Sequence, residues 1–161
     1  MLALEQSRAY LEQLTNGSFL ISKNGERTNV MTIGWGSMGY LWNRFVVMVP
    51  VRTTRYSYEL LKDEHFFTIS VPKKGQMSRE LNYCGTKSGR DVDKIKDLAL
   101  EMEEGSIPVP HLRGAQFHLE CKILYKEEIN PEKLNGLIDL ECYPQKDYSV
   151  LFYAEIVNII E

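Results

Sequence analysis

Two arginines flank two threonines at Arg52-Thr53-Thr54-Arg55, and Ser57 follows closely. Guanidinium forks, hydroxyls and the free backbone N–H groups at a helix start are the groups that hold a phosphate. The run 45–51 before them is apolar, and Tyr58 and Leu61 after them suit the buried face of a helix. A plainer alternative is a helix capped by Thr53 or Thr54 with its arginines in water. Paired cations and hydroxyls directly after a buried strand favour the anion site.

A second polar cluster, Cys84-Gly85-Thr86-Lys87-Ser88-Gly89-Arg90-Asp91, lacks the spacing of a Walker loop. Its two glycines suit close approach of backbone to a ligand, and a solvated surface loop explains them equally well. Cys84 lies near Lys87 and Arg90, cations that would activate a thiol, although a small structural cysteine is the commoner use. Met31 and Trp35 fall on one face of a strand and could pack on a planar heterocycle; core packing is again the commoner role. His65, His111 and His118 carry no metal-ligand spacing, and no G-x-S-x-G elbow supports a hydrolytic triad, so no catalytic residue is assigned.

Gly34, Gly36 and Gly39 spell G-x-G-x-x-G, with Glu59 at about the distance of a ribose-binding acid. That fingerprint works only where a helix starts at the glycines. The following residues are aromatic and β-branched and include Pro50, which predicts a strand and makes the match accidental.

The elements that must position these groups are mostly strands. A helix is expected over 4–14, then strands over 18–22 and from about 28 to 33, joined by an Asn24-Gly25 hairpin. Alternation puts Val30, Thr32 and Gly34 on one face, and Asn29, Met31, Ile33 and Trp35 on the other. A strand over 45–51, a helix from Thr53 to before Phe66, and a strand over 65–71 follow. Short helices are expected over 77–83 and 91–100, a polar loop over 85–89, and a surface connection over 101–110. Residues 115–125 and 148–160 are strands, with loop or short helix over 127–139. Many strands with few helices imply a mainly β, antiparallel barrel, closed to hide its edges.

With 161 residues, no internal repeat and no linker, the chain is expected to be one domain over 1–161. Apolar content of 43% and charged content of 25% exclude global disorder, and a net charge of -3 argues against nucleic-acid binding. No apolar run is long enough to span a membrane, and Glu5 and Glu12 interrupt any leader-like core at the N-terminus. Cys84, Cys121 and Cys142 form no disulfide framework, so a reducing, cytoplasmic setting is the default.

Three segments, taken in order, resemble the flavin reductase-like family of FMN-binding split barrels, and within it the flavoredoxin branch. They are Asn29-Val30-Met31-Thr32-Ile33-Gly34-Trp35, Val51-Arg52-Thr53-Thr54-Arg55-Tyr56-Ser57, and Cys84 through Asp91 continuing to Val92-Asp93-Lys94. The likeness covers about the first two thirds of the chain. It implies an antiparallel split β-barrel with short peripheral helices, a homodimer, and FMN near the subunit interface. Asn29, Met31, Thr32 and Trp35 would then line the ring and ribityl chain, and Arg52, Thr54, Arg55 and Ser57 would hold the phosphate. Cys84, Gly85, Ser88, Gly89, Asp91 and Lys94 would close over the flavin. Two departures stand out: Ile95 replaces the aromatic residue usual after the Asp-Lys pair, and Phe45 a common proline. The implied activity is a flavoprotein oxidoreductase, either a flavin reductase using NADH or NADPH or a flavoredoxin-type electron carrier. The alternative is a flavin- or haem-binding barrel without turnover.

Overall fold

Asn24-Gly25 turns the chain as its composition predicts: Gly25 takes φ 59°, and strand β1 (Ser18–Asn24) pairs antiparallel with β2 (Arg27–Ile33). The computed structural model describes residues 4–161; residues 1–3, the start of the stretch expected to lack a leader, lie outside the described residues. Helix α1 (Leu4–Gln13) precedes β1, and its Tyr10, together with Leu14 just beyond it, enters the core.

After β2 the chain stays extended. Strand β3 (Ser37–Leu41) pairs with β4 (Arg44–Arg52), so no helix starts at the three glycines and the dinucleotide fingerprint is indeed accidental. Gly36 is required for packing, because a Cβ there would lie 2.9 Å from the Tyr10 hydroxyl and 3.0 Å from the Met48 carbonyl. The β3–β4 turn, Trp42-Asn43, has positive φ at both residues (54° and 58°), the twist a two-residue hairpin favours. Sequence reasoning missed this hairpin, because tryptophan is a costly residue for that conformation.

Helix α2 (Tyr56–Leu61) begins later than expected: Arg55 is its N-cap and makes no side-chain cap, so neither Thr53 nor Thr54 caps it. Strand β5 (Phe66–Val71) leads to α3 (Ser78–Thr86), which runs past the expected helix end at 83 and absorbs Gly85 and Thr86 from the expected loop. The helix expected over 91–100 shrinks to α4 (Lys94–Asp97), capped by the Asp93 side chain. Two short strands, β6 (Met102–Glu103) and β7 (His111–Leu112), form a ribbon within and after the expected surface connection. Strand β8 (Phe117–Glu128), a single 3-10 turn (Pro131–Lys133), α5 (Gly136–Cys142) and β9 (Ser149–Ile160) complete the chain.

Seven strands form one antiparallel sheet in the order β2-β1-β5-β8-β9-β4-β3. The barrel is split, as the resemblance implies and unlike the closed barrel expected from the strand count alone: β2 and β3 end the sheet without pairing with each other. Helices α3 and α4 pack against the β2 edge, whereas β3 is touched by α1 and otherwise stays mostly exposed. Alternation along β2 sorts two cores as anticipated. Met31 and Ile33 join the barrel interior with Val47, Val49 and Phe152, whereas Val30 faces an outer cluster with Phe19, Ile21, Leu81 and Cys84.

Candidate functional site

Where β4 runs into α2, its residues meet β2, the α3–α4 connection and the chain after α5 around a cavity of about 550 Å³. Its walls include Asn29, Met31, Arg52, Thr54, Arg55 and Ser57. A second hollow of about 200 Å³ adjoins it, sharing Met31, Arg52 and Arg55 and adding Thr32, Trp35 and Pro50. Ser88, Gly89 and Lys94 also line the larger cavity. Eleven of the fourteen residues expected from sequence therefore converge; Cys84, Gly85 and Asp91 line neither cavity.

The two flanking arginines have different duties. Arg52 donates to Asp147 Oδ1 (2.7 Å) and to the Cys142 carbonyl (2.7 Å), and its guanidinium lies 4.7 Å from the Tyr143 ring centre and 5.5 Å from that of Trp35. These contacts commit its fork to holding residues 142–147 as a wall. The guanidinium of Arg55 is exposed and has no hydrogen bond or ion pair among the described residues, so it is available to an anion. Ser57 is fully buried, and its hydroxyl accepts from Asn29 Nδ2 at 3.0 Å, which ties α2 to β2.

Lys94 is 4% exposed and donates from Nζ to the carbonyls of Val30 (3.0 Å) and Cys84 (2.9 Å). An ammonium has three donors, so one remains beyond those two contacts. Burial lowers its pKa, the Cys84 thiol opposes that shift, and repulsion from Arg55 adds to it. Lys94 and Arg55 thus place two positive charges close together on this side of the cavity.

The loop glycines serve the chain's own packing. A Cβ on Gly89 would lie 2.4 Å from Tyr56 Cδ2 and 2.5 Å from Asn29 Oδ1, and one on Gly85 would lie 3.2 Å from Thr32 Cβ. Thr32 directs its hydroxyl to the Leu81 carbonyl (2.6 Å). Cys84 sits wholly within the outer core, where burial pushes its thiol up to about 11, the opposite of an activated nucleophile. Asp91 lies in a neighbouring hollow beside Arg27 and Tyr56. None of His65, His111 and His118 lines either cavity, and no metal-binding cluster exists among the described residues.

Sequence reasoning missed one wall altogether. Glu141, Cys142, Pro144, Gln145 and Asp147 complete the larger cavity from 90 or so positions beyond Arg52. Only the Arg52–Asp147 pair could have signalled it, and a charge pair is not legible without the fold.

Apolar and aromatic walls thus meet, around one split-barrel cavity and its neighbour, an arginine whose guanidinium has no partner among the described residues and a buried lysine. The model of the flavin reductase-like domain matches residues 11–161, and the chain belongs to that family. An uncharacterized protein from Archaeoglobus fulgidus is 27% identical over 118 residues, 73% of this chain; the match spans 66% of that relative's length, just under two thirds. Among solved structures, flavoredoxin from Methanosarcina acetivorans superposes with a TM-score of 0.71 at 23% identity, over 90% of this chain and 67% of that one. A split-barrel protein from Shewanella frigidimarina, described as a flavin reductase, gives 0.68 at 12%, over 99% and 74%. An NADH:FAD oxidoreductase of Streptomyces globisporus gives 0.68 at 18%, over 100% and 86%. At these identities the structural likeness establishes the fold.

Proposed function

We propose that the chain binds FMN in the joined cavities and works as a flavoprotein oxidoreductase, as a flavin reductase using NADH or NADPH or as a flavoredoxin-type electron carrier. Membership of the flavin reductase-like family supports a flavin-binding, oxidoreductase-type role. The observation that carries the finer reading is Arg55: an unpaired guanidinium at the rim of a cavity whose volume falls within the usual range of about 300–1,000 Å³ for small-molecule sites.

Bound flavin supplies electron transfer in one or two steps. The chain's own residues bind and orient it. Arg55 and the Thr54 hydroxyl anchor the phosphate, while Met31, Trp35 and Pro50 offer apolar surface to the ring. The Lys94 ammonium, held by two carbonyls, supplies a fixed positive potential without needing to reorganise. Asn29 and Ser57 act through one another to keep α2 against β2. No proton-transfer residue is required of this site, in line with a chemistry borne by the cofactor.

A homodimer belongs to the same reading. Tyr40, Leu41, Trp42 and Phe45 on the β3–β4 hairpin and Leu137, Ile138 and Leu140 on α5 expose large apolar side chains. The family resemblance and the free cysteines are compatible with a cytoplasmic setting; no helix among the described residues is long and apolar enough to cross a membrane.

The test is spectroscopic. Purified protein incubated with FMN and desalted should keep a flavin absorption spectrum, and anaerobic NADH or NADPH should bleach it. A colourless protein sinks the flavin reading; colour without bleaching by either nucleotide leaves the carrier and removes the reductase.

A further inference from the structure

The connection between α3 and α4 forms one lip of the larger cavity through Thr86, Lys87, Ser88, Gly89 and Arg90. It is fixed at both ends, by clamps of opposite character. On the α4 side, buried Lys94 bonds the Val30 and Cys84 carbonyls. On the other, Arg90 reaches across to α2. Its Nε and Nη2 donate to Glu59 Oε1 at 3.1 and 2.5 Å, its Nη1 donates to the Thr54 carbonyl at 2.8 Å, and its guanidinium lies 5.9 Å from the Tyr56 ring centre. The Arg90 and Glu59 side chains are 40% and 42% exposed, so water and salt reach this clamp and not the buried one. Ser88 stiffens the turn between them, accepting from the Arg90 N–H at its hydroxyl and from the Asp91 and Val92 N–H groups at its carbonyl.

We propose that Glu59 is a positioning residue: through Arg90 it holds residues 86–90 over the cavity and so sets how fast flavin leaves. Glu59 lines neither cavity and acts only through the arginine. The inference rests on the flavin reading and deepens it, since the release rate separates a retained cofactor from a flavin handed on as product. The screened clamp opens before the buried one, and opening it frees the lip without disturbing the barrel. Its sign also distinguishes it from a plain charge effect. Removing the negative charge of Glu59 would, by Coulomb's law alone, slow the departure of anionic FMN; loss of the clamp speeds it.

The experiment measures release of FMN and of riboflavin by stopped-flow fluorescence for the wild type, Glu59→Gln, Arg90→Gln and the double variant. Each single change should speed release of both flavins by about two- to five-fold, the range of an exposed ion pair. The double variant should be no faster than the singles, as expected when both residues serve one contact. Raising salt should bring wild-type riboflavin release towards the Glu59→Gln rate and leave that variant nearly unchanged. Arg90→Lys, which keeps the charge and loses the fork, should fall between; it also stands in if Arg90→Gln fails to fold. Slower FMN release, an effect on FMN but not riboflavin, or additive single effects would overturn the clamp. A wild type that takes up neither flavin overturns the functional reading, and the clamp with it; uptake with unchanged release overturns the clamp alone.

Discussion

Arg52 and Arg55 are three residues apart and chemically identical, yet the fold gives them opposite roles. Arg52 is consumed by Asp147, the Cys142 carbonyl and two aromatic rings, whereas Arg55 keeps its donors for a ligand. Arg55→Ala should therefore weaken FMN by about 1.5–3 kcal/mol, the worth of a charge-assisted contact, and leave riboflavin nearly unaffected. Arg52→Ala should weaken both flavins alike, because it releases the 142–147 wall and removes no phosphate contact. Fluorescence titration with the two ligands checks the pair; equal losses for Arg55→Ala would reverse the assignment. Both arginines and the nearby hydroxyls were legible as anion-binding chemistry. Which arginine is free was not, because Asp147 is nearly a hundred positions away.

The β6–β7 ribbon packs on the outer cluster, and around it lie buried titratable groups that line neither cavity: His111 on the ribbon, His118 and Glu120 on β8. Glu120 on β8 is fully buried and accepts from the Ser106 hydroxyl and N–H, the Ile107 N–H and Asn158 Nδ2. Burial alone would raise its pKa; those hydrogen bonds outweigh burial and hold the carboxyl below its ordinary value. His118 lies beside His111, ring centres 4.1 Å apart, and Nδ1 meets the Ser70 hydroxyl at 2.8 Å. That hydroxyl also accepts the Leu112 N–H (3.0 Å), and the direction of its contact with Nδ1 is set by the His118 tautomer. Across from it, His111 Nδ1 is 3.9 Å from Glu103, which Arg113 also engages. Burial, with repulsion from His111, pushes His118 down to about 4, and Glu120 opposes the shift.

The sign follows from proton binding. Between the unfolded value near 6.5 and about 4, the unfolded chain binds a proton at His118 that the folded chain does not. The His118 contribution is constant above that window and falls as pH drops through it, by up to about 3 kcal/mol; Glu120, held below its ordinary value, adds to the loss as pH falls below that value. Urea midpoints between pH 7.5 and 4 should decline for the wild type and decline less for His118→Gln. Parallel curves would remove His118 as the cause. The histidines were visible in the sequence only as scattered residues without ligand spacing. Their stacking depends on a two-residue strand too short for any periodicity to reveal.

The whole molecule leaves an apolar surface around the β3–β4 hairpin and the far end of β8. Trp42 meets Tyr125 and Tyr153 edge-on, and Leu41, Leu134 and Leu151 join them in lining a groove of about 540 Å³. If two copies pair through this surface, sedimentation should give a dimer, and Tyr40→Lys with Leu41→Lys should shift it to monomer with the β-sheet circular dichroism spectrum kept. A wild-type monomer at micromolar concentration would remove the dimer from the reading.

Local chemistry in the sequence determined most strands, the Asn24-Gly25 hairpin, the two faces of β2 and the candidate phosphate segment, because each depends on neighbours within a few residues. Rejection of the G-x-G-x-x-G match also followed from what surrounds it. Only the tertiary structure decided that β2 and β3 stay unpaired with each other, that Gly85 and Gly89 serve packing, that the Cys84 thiol is buried and its pKa raised, and that residues 141–147 close the cavity. Those outcomes depend on contacts between distant segments, where a partner's identity is set by sheet order and strand register and leaves no periodic trace in the chain.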